Sequence, residues 1–277
     1  MEEDFIMKST FVLAQLEAKP NPMDNIKKAE QAVKESMKLY HPDFMVFPEV
    51  FMSHYPLGTD RKIILDSAQK LDGPFVKAMQ DLSKANHLWM VFGMREATED
   101  KDDERSYNTS IMLNNQGEIM GVYRKTHLYD AFGYKESMNI KPGDKLFNPI
   151  DTPFGKIGMF VCYEVRFPEV ARDQTAKGAD IIIMPTAWVK GDLKSLHFRT
   201  LITARAIENT VFLLACDQCG ETYLGESVVV DPMGVPISCG NERECLIPVH
   251  IDTDRITEVR KKLPSFKDRR PSVYTLK

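Results

Sequence analysis

The chain has 277 residues, 43% of them hydrophobic and 27% charged, which excludes collagen-like, low-complexity and disordered classes. Lysine and arginine number 36 against 40 acidic residues, a net charge of −4, so no nucleic-acid partner is expected. The longest apolar runs, Val211–Ala215 and Ile181–Met184, fall far short of the ~20 residues that span a bilayer, so no membrane partner is expected either. The acidic stretch Met1–Thr10 lacks the basic and apolar regions of a secretory peptide. With five cysteines, an odd number, reduced thiols and a cytoplasmic location are expected.

Apolar runs alternate with amphipathic stretches, which reads as α/β or α+β. Ser9–Ala14 is a first strand, broken at Pro20–Pro22. Asp24 is placed to cap a helix whose apolar face is Ile26, Ala29, Val33, Met37 and Tyr40. Phe44–Phe47 is a buried strand. Pro74 starts a helix with the stripe Phe75, Met79 and Leu82, and Leu88–Phe92 is the next strand. Glu96–Arg105 is a charge run expected to be a solvated loop tip. Tyr107–Leu113 and Ile119–Tyr123 flank the turn Asn114–Gly117 and predict a hairpin. Beyond it come strand Gly155–Val161, helix Phe167–Lys177, strand Ile181–Met184, helix Ser195–Asn209 and strand Val211–Ala215. Val228–Asp231, Val235–Ile237 and Leu246–Ile251 close the sheets, and helix Asp254–Lys262 precedes a polar tail. No linker-like shift interrupts the pattern, so residues 1–277 are expected to form a single domain.

Glu49, Lys125, Cys162 and Thr186 each lie at or just past the carboxyl end of a predicted strand, where ligands collect in α/β sheets. A thiol to attack a carbonyl, a carboxylate to move protons and a cation for the developing charge are the parts of a covalent acyl-transfer site. Singly each has a plainer role: a packed cysteine, a turn-capping glutamate, a surface lysine.

Their contexts decide. Phe47-Pro48-Glu49, Tyr123-Arg124-Lys125-Thr126-His127-Leu128 and Cys162-Tyr163-Glu164-Val165-Arg166-Phe167-Pro168-Glu169 resemble, in order, the three motifs of the nitrilase (carbon–nitrogen hydrolase) superfamily. Pro142-Gly143-Asp144, Pro185-Thr186-Ala187-Trp188 and Ala204–Asn209 match further landmarks, and the likeness covers nearly the whole chain. The resemblance implies a four-layer αββα sandwich and a triad of Glu49 (general base and acid), Lys125 (oxyanion-stabilising cation) and Cys162 (nucleophile). It places Glu136 as the family's further glutamate and gives Tyr163 an oxyanion-binding backbone N–H. Thr186, Tyr129, Phe132 and Arg166 are expected to line the substrate pocket, Arg166 either on a substrate carboxylate or in a structural salt bridge.

Nitrile-hydrolysing members usually carry Trp where this chain has Tyr163, so the motif looks like the ω-amidase and deaminated-glutathione amidase branch. The implied reaction is hydrolysis of a small-molecule carboxamide to acid and ammonia through a thioester, with no metal or organic cofactor. N-carbamoyl hydrolysis or nitrile hydrolysis on the same triad, and a non-catalytic interaction module, are the alternatives. A zinc site on Cys216, Cys219, Cys239 and Cys245 fits poorly, since C-x5-C is a weak second pair, and no papain-like signature supports His127 as a base. Relatives pair through helices near the site, so a homodimer or higher oligomer is expected, with residues 263–277 as a tail at the interface. Cys162 is expected to feel a helix N-terminus and Lys125, both favouring thiolate, and so to alkylate first.

Overall fold

β1 (Ser9–Gln15) is buried along its whole length, and its alternate side chains serve two different cores. Phe11 and Leu13 face one core, Val12 and Ala14 the other. That division organises the computed structural model, which describes residues 9–274 apart from Leu57 and Lys101. After β1 come α1 (Pro22–Leu39), β2 (Phe44–Val46), α2 (Arg61–Asp66), α3 (Pro74–Asn86), β3 (Trp89–Glu96), β4 (Tyr107–Leu113) and β5 (Ile119–Arg124). The second half holds β6 (Ile150–Thr152), β7 (Gly155–Met159), α4 (Pro168–Ala176), β8 (Ile181–Thr186), α5 (Lys194–Asn209) and β9 (Phe212–Asp217). It closes with β10 (Val228–Val230), β11 (Pro236–Cys239), β12 (Cys245–Ile251) and α6 (Asp254–Lys262).

Two six-stranded sheets result, in the orders β12-β1-β2-β3-β4-β5 and β11-β10-β9-β8-β7-β6. Each is parallel at its centre (β1, β2, β3 and β7, β8, β9) and antiparallel at its flanks. The parallel strands are buried on both faces, which explains their near-continuous apolar runs. Residues of α1 and α3 cover the outer face of the first sheet, and those of α4 and α5 complete the core of the second. The layers are helix, sheet, sheet, helix: the four-layer αββα sandwich.

Several local expectations change. The cap of α1 is Asn21, whose side chain accepts from the Met23 N–H (3.0 Å), not Asp24; Pro22 opens the helix, because a first-turn residue needs no N–H. Among its described residues the charge run is a loop except at its first residue. Glu96 is buried at the end of β3, accepting from Thr109 Oγ1 (2.7 Å) and from Arg124 through Nε (2.8 Å) and Nη2 (2.5 Å). The strand before Cys162 stops at Met159, and α2 and β6, too short to show a period, were not expected. In the tail, Phe266 lies beneath Arg269, Arg172 and Arg260, with guanidinium-to-ring distances of 3.8, 5.4 and 5.9 Å.

Candidate active site

The carboxyl ends of both sets of parallel strands open onto one cavity of about 760 Å³, lined by Glu49, Lys125, Glu136, Cys162, Tyr163 and Arg166 among others. Glu49 follows β2 on a turn pressed against β3. A Cβ on Gly93 would lie 2.3 Å from the Val50 nitrogen and 2.8 Å from the Glu49 Cα, so only glycine lets the two backbones meet. Gln218 Nε2 donates to the Glu49 carbonyl (2.8 Å), a tie from the second sheet. Lys125 leaves β5 at an equally tight crossing: the Gly143 N–H donates to its carbonyl (2.9 Å), and a Cβ on Gly143 would lie 2.2 Å from the Arg124 oxygen.

Three buried charges meet there. Lys125 Nζ donates to Glu49 Oε1 and Glu136 Oε2, each at 2.9 Å. Asn108 Nδ2 donates to Glu49 Oε1 (2.7 Å) and Glu136 Oε1 (3.0 Å), and the Tyr129 N–H donates to Glu136 Oε2 (2.7 Å). Burial alone would discharge the lysine; the carboxylates of Glu136 and Glu49 outweigh it and hold its pKa well above the ordinary value. Glu136 therefore anchors both the ammonium and the Tyr129–Tyr134 loop.

Cys162 stands across the cavity on a sharp elbow, at φ 49°, a left-handed conformation unusual for a side-chain-bearing residue. Glu164 holds the elbow. Its buried carboxylate accepts from the Val161 N–H (2.7 Å), Tyr123 Oη (2.6 Å), the Thr126 N–H (2.9 Å) and Thr126 Oγ1 (2.6 Å), tying the cysteine turn to the lysine loop. Burial opposes its charge, but these donors with His127 win and keep its pKa below the usual carboxylate value. The expectation of a thiolate-favouring helix start is overturned. The elbow is a five-residue 3-10 turn, Cys162–Arg166, and α4 begins only at Pro168. Burial first, then the Glu49 charge, push the Cys162 thiol well above its ordinary pKa; Lys125, Thr186 and the Ala187 N–H oppose them without prevailing.

Thr186 ends β8 beside the thiol, with its buried Oγ1 lacking a hydrogen-bond partner of normal geometry. Among the described residues Arg166 makes no salt bridge: its Nε and Nη2 are buried and unpartnered, and its guanidinium lies over Trp188 (4.9 Å) and Tyr163 (5.9 Å). Tyr129 Oη accepts from Lys194 Nζ (2.8 Å). Phe132, 70% exposed, covers the same ammonium at 3.8 Å. Tyr129, Phe132, Arg166 and Tyr163 line the cavity, Phe132 at its mouth; Thr186, expected to line it too, is fully buried behind the thiol and does not reach the cavity wall. His127 stacks on Phe167 (4.1 Å), and Cys216 Sγ packs between the Val46 (3.1 Å) and Ala14 (3.5 Å) carbonyls, so neither takes the rival role weighed for it. Sequence reasoning missed Asn108, Glu164 and Asp217. Asp217 accepts from the Trp188 N–H (2.7 Å), and burial keeps its carboxyl well above the usual range. Only Glu164 carried a signal, being an acid inside the cysteine motif.

Known proteins share this chain's sequence and fold. A deaminated glutathione amidase of Escherichia coli O157:H7 is 33% identical over 240 residues, 87% of each chain. The omega-amidase NIT3 of Saccharomyces cerevisiae is 33% identical over 270 residues, 92% of this chain and 91% of the relative. The crystal structure of Saccharomyces cerevisiae Nit3, a member of branch 10 of the nitrilase superfamily, superposes with a TM-score of 0.84 at 31% identity, covering 95% of this chain and 97% of that one. With the carbon–nitrogen hydrolase family matched over residues 12–261, the chain belongs to that family and is a hydrolase acting on carbon–nitrogen bonds.

Proposed function

We propose that this hydrolase is a cysteine-dependent amidase that cleaves an ω-amide-like carboxamide through a thioester. The observation that carries the reading is a buried thiol beside a carboxylate whose position is fixed by one ammonium. Glu49, Lys125 and Glu136 together carry one net negative charge, so a proton arriving on Glu49 neutralises the cluster. As Cys162 Sγ attacks the carbonyl carbon, its proton passes to Glu49. Lys125 and the Tyr163 N–H receive the oxyanion, and the protonated Glu49 returns its proton to the nitrogen as the C–N bond breaks. Glu49 then takes a proton from water, hydroxide adds to the thioester, and the thiol leaves reprotonated with the acid. Glu136 and Asn108 act as positioning residues on Lys125 and Glu49.

Arg166 binds the substrate carboxylate, since its guanidinium has no acid of its own at the cavity wall. Tyr129 and Phe132 shape the pocket around it, and Thr186 acts from behind the thiol. The site needs no metal or organic cofactor for these steps. We further assign the chain to the cytoplasm, consistent with five unbridged cysteines among the described residues, and to a homodimer of single-domain protomers with residues 263–277 at its interface, of which 275–277 lie outside the described residues. No helix among the described residues is long and apolar enough to cross a membrane.

A panel of ω-amides, aliphatic amides, N-carbamoyl compounds and nitriles, read by ammonia release, tests the bond type. ω-Amides are expected to turn over fastest. Equal turnover of a nitrile and its matched amide would overturn the reading, and a monomeric mass by light scattering at micromolar concentration would overturn the dimer.

A further inference from the structure

Asp217, the last residue of β9, is fully buried, and no step of the reaction uses it. β8 and β9 run parallel with Thr186 opposite Asp217, which places the carboxyl behind the nucleophile's side of the cavity. Its Oδ1 accepts from the Trp188 N–H (2.7 Å). Its Oδ2 has no partner among the described residues, and no lysine or arginine acts on it. Its own backbone is pinned, since the Asp217 N–H donates to Ser227 Oγ (2.8 Å). An acid with so few bonds, wholly out of water and without a cation, is cheaper neutral than charged. Burial, with the Glu49 charge, does hold this carboxyl well above the usual range.

The turn that Asp217 holds carries two groups aimed at the nucleophile. Thr186 Oγ1 and the Ala187 N–H both act on the Cys162 sulfur as donors. Ala187 stands between two rigid peptide planes. The Gln218 N–H fixes the first by donating to the Thr186 carbonyl (3.0 Å), and Asp217 fixes the second through the Trp188 N–H. The Leu224 N–H also donates to the Trp188 carbonyl (2.8 Å), but that bond restrains the peptide after Trp188. Releasing Asp217 therefore frees one of the two planes that aim the Ala187 N–H. Glu49, Lys125 and Tyr223 are the titratable groups that face the sulfur. Those that face Asp217 are Glu49, Cys216 and Tyr223, none of them a cation.

We propose that Asp217 is a positioning residue for the nucleophile: by accepting from the Trp188 N–H it keeps the Thr186–Trp188 turn in the conformation that aims Thr186 Oγ1 and the Ala187 N–H at Cys162 Sγ. Sulfur gains negative charge twice in the cycle, as the thiol attacks and as the thioester breaks, and the two donors serve both passages. The inference rests on the thioester reading and deepens it.

Alkylation of Cys162 needs no substrate, so it tests the positioning apart from the reaction. Below the thiol's pKa the iodoacetamide rate at a fixed pH of about 8, counted at Cys162 by peptide mapping, follows the thiolate fraction. Asp217→Ala removes the acceptor, and Asp217→Leu removes it while filling the space, which keeps the test open should the alanine variant fail to fold. Both should slow the label about fivefold or more, because weaker donors raise the thiol further. Asp217→Asn keeps an oxygen for the Trp188 N–H without a charge and should recover most of the rate. An unchanged rate in the Ala and Leu variants overturns the proposal. A faster rate in all three would mean that the carboxyl acts through negative charge, and overturns it as well. So does equal slowing in all three, since the Trp188 bond would then not be what matters. Turnover of an ω-amide is the separate arm, in which the loss should fall mainly on kcat. Slowing in Ala and Leu with recovery in Asn, but no amide turned over even by the unaltered enzyme, would support the positioning role and sink the amidase reading.

Discussion

The first sheet delivers Glu49, Lys125 and Asn108 as a buried network in which each of the three central charges already has a partner. The second delivers Cys162 on an elbow at positive φ and Arg166 with two buried nitrogens that have no partner among the described residues. The same arrangement of parallel strands therefore builds one side whose three central charges are mutually paired and another whose nucleophile and neighbouring guanidinium are not. The lesson concerns preorganisation. The proton-handling groups are fixed before substrate arrives, while the nucleophile's side holds polar atoms that a bound amide can satisfy. The two sides should differ sharply when cut.

The largest effect is expected at the nucleophile. Cys162→Ala should lower turnover by on the order of 10⁴-fold or more while changing stability by no more than about 1 kcal/mol, because one small side chain beside a cleft leaves little cavity. Cys162→Ser should be nearly as inactive. Lys125→Met also abolishes turnover, but it strands two buried carboxylates, and about 3–5 kcal/mol of stability should go with it. Paired denaturant titrations check this, and a Lys125→Met protein as stable as Cys162→Ala would break the contrast between the sheets.

The parts legible in the sequence were those written locally. Glu49, Lys125 and Cys162 each sit in a contiguous motif, and strands buried on both faces announce themselves as apolar runs. Glu136 was reached through resemblance; in the structure it accepts hydrogen bonds from Lys125 and from Asn108, a partner the sequence did not suggest. Asn108 was invisible because its importance comes from its place in the β3–β4 register, which no local pattern records. Glu96 was misread for a similar reason: its partner Arg124 lies two strands away along the sheet. The thiol was misjudged because its burial, and then the facing Glu49 charge, were not weighed against Lys125.

A subtler cut tests how far the complete side depends on backbone fit. Gly93→Ala puts a methyl 2.3 Å from the Val50 nitrogen, and the Glu49 turn must move to admit it. Misplacing a proton-transfer group by about 1 Å costs on the order of 10²-fold in turnover. The variant should fold, since the strain falls on one turn, and its loss should appear in kcat. Unchanged kcat would mean that Glu49 tolerates displacement and that the network is less rigid than its hydrogen bonds imply.

The smallest effect is a displacement along the pH axis, and it addresses the incomplete side alone. Burial and the facing Glu49 charge disfavour the Cys162 thiolate, while Lys125 favours it; the first two prevail, so the thiol titrates above its ordinary value of 9.0. Alkylation requires the thiolate. The rate at which iodoacetamide abolishes activity should therefore keep climbing beyond pH 9, where an ordinary thiol begins to level off. Cys239, exposed on β11, reacts in parallel and must be counted separately by peptide mapping, because its label should leave activity untouched. The sign is what discriminates. If Lys125 governed the thiol, the curve would level off below pH 8; such a plateau, with activity lost in step with the Cys162 label, would show that the ammonium's charge reaches the sulfur despite its two carboxylates, and the division between a satisfied and an unsatisfied side would fail.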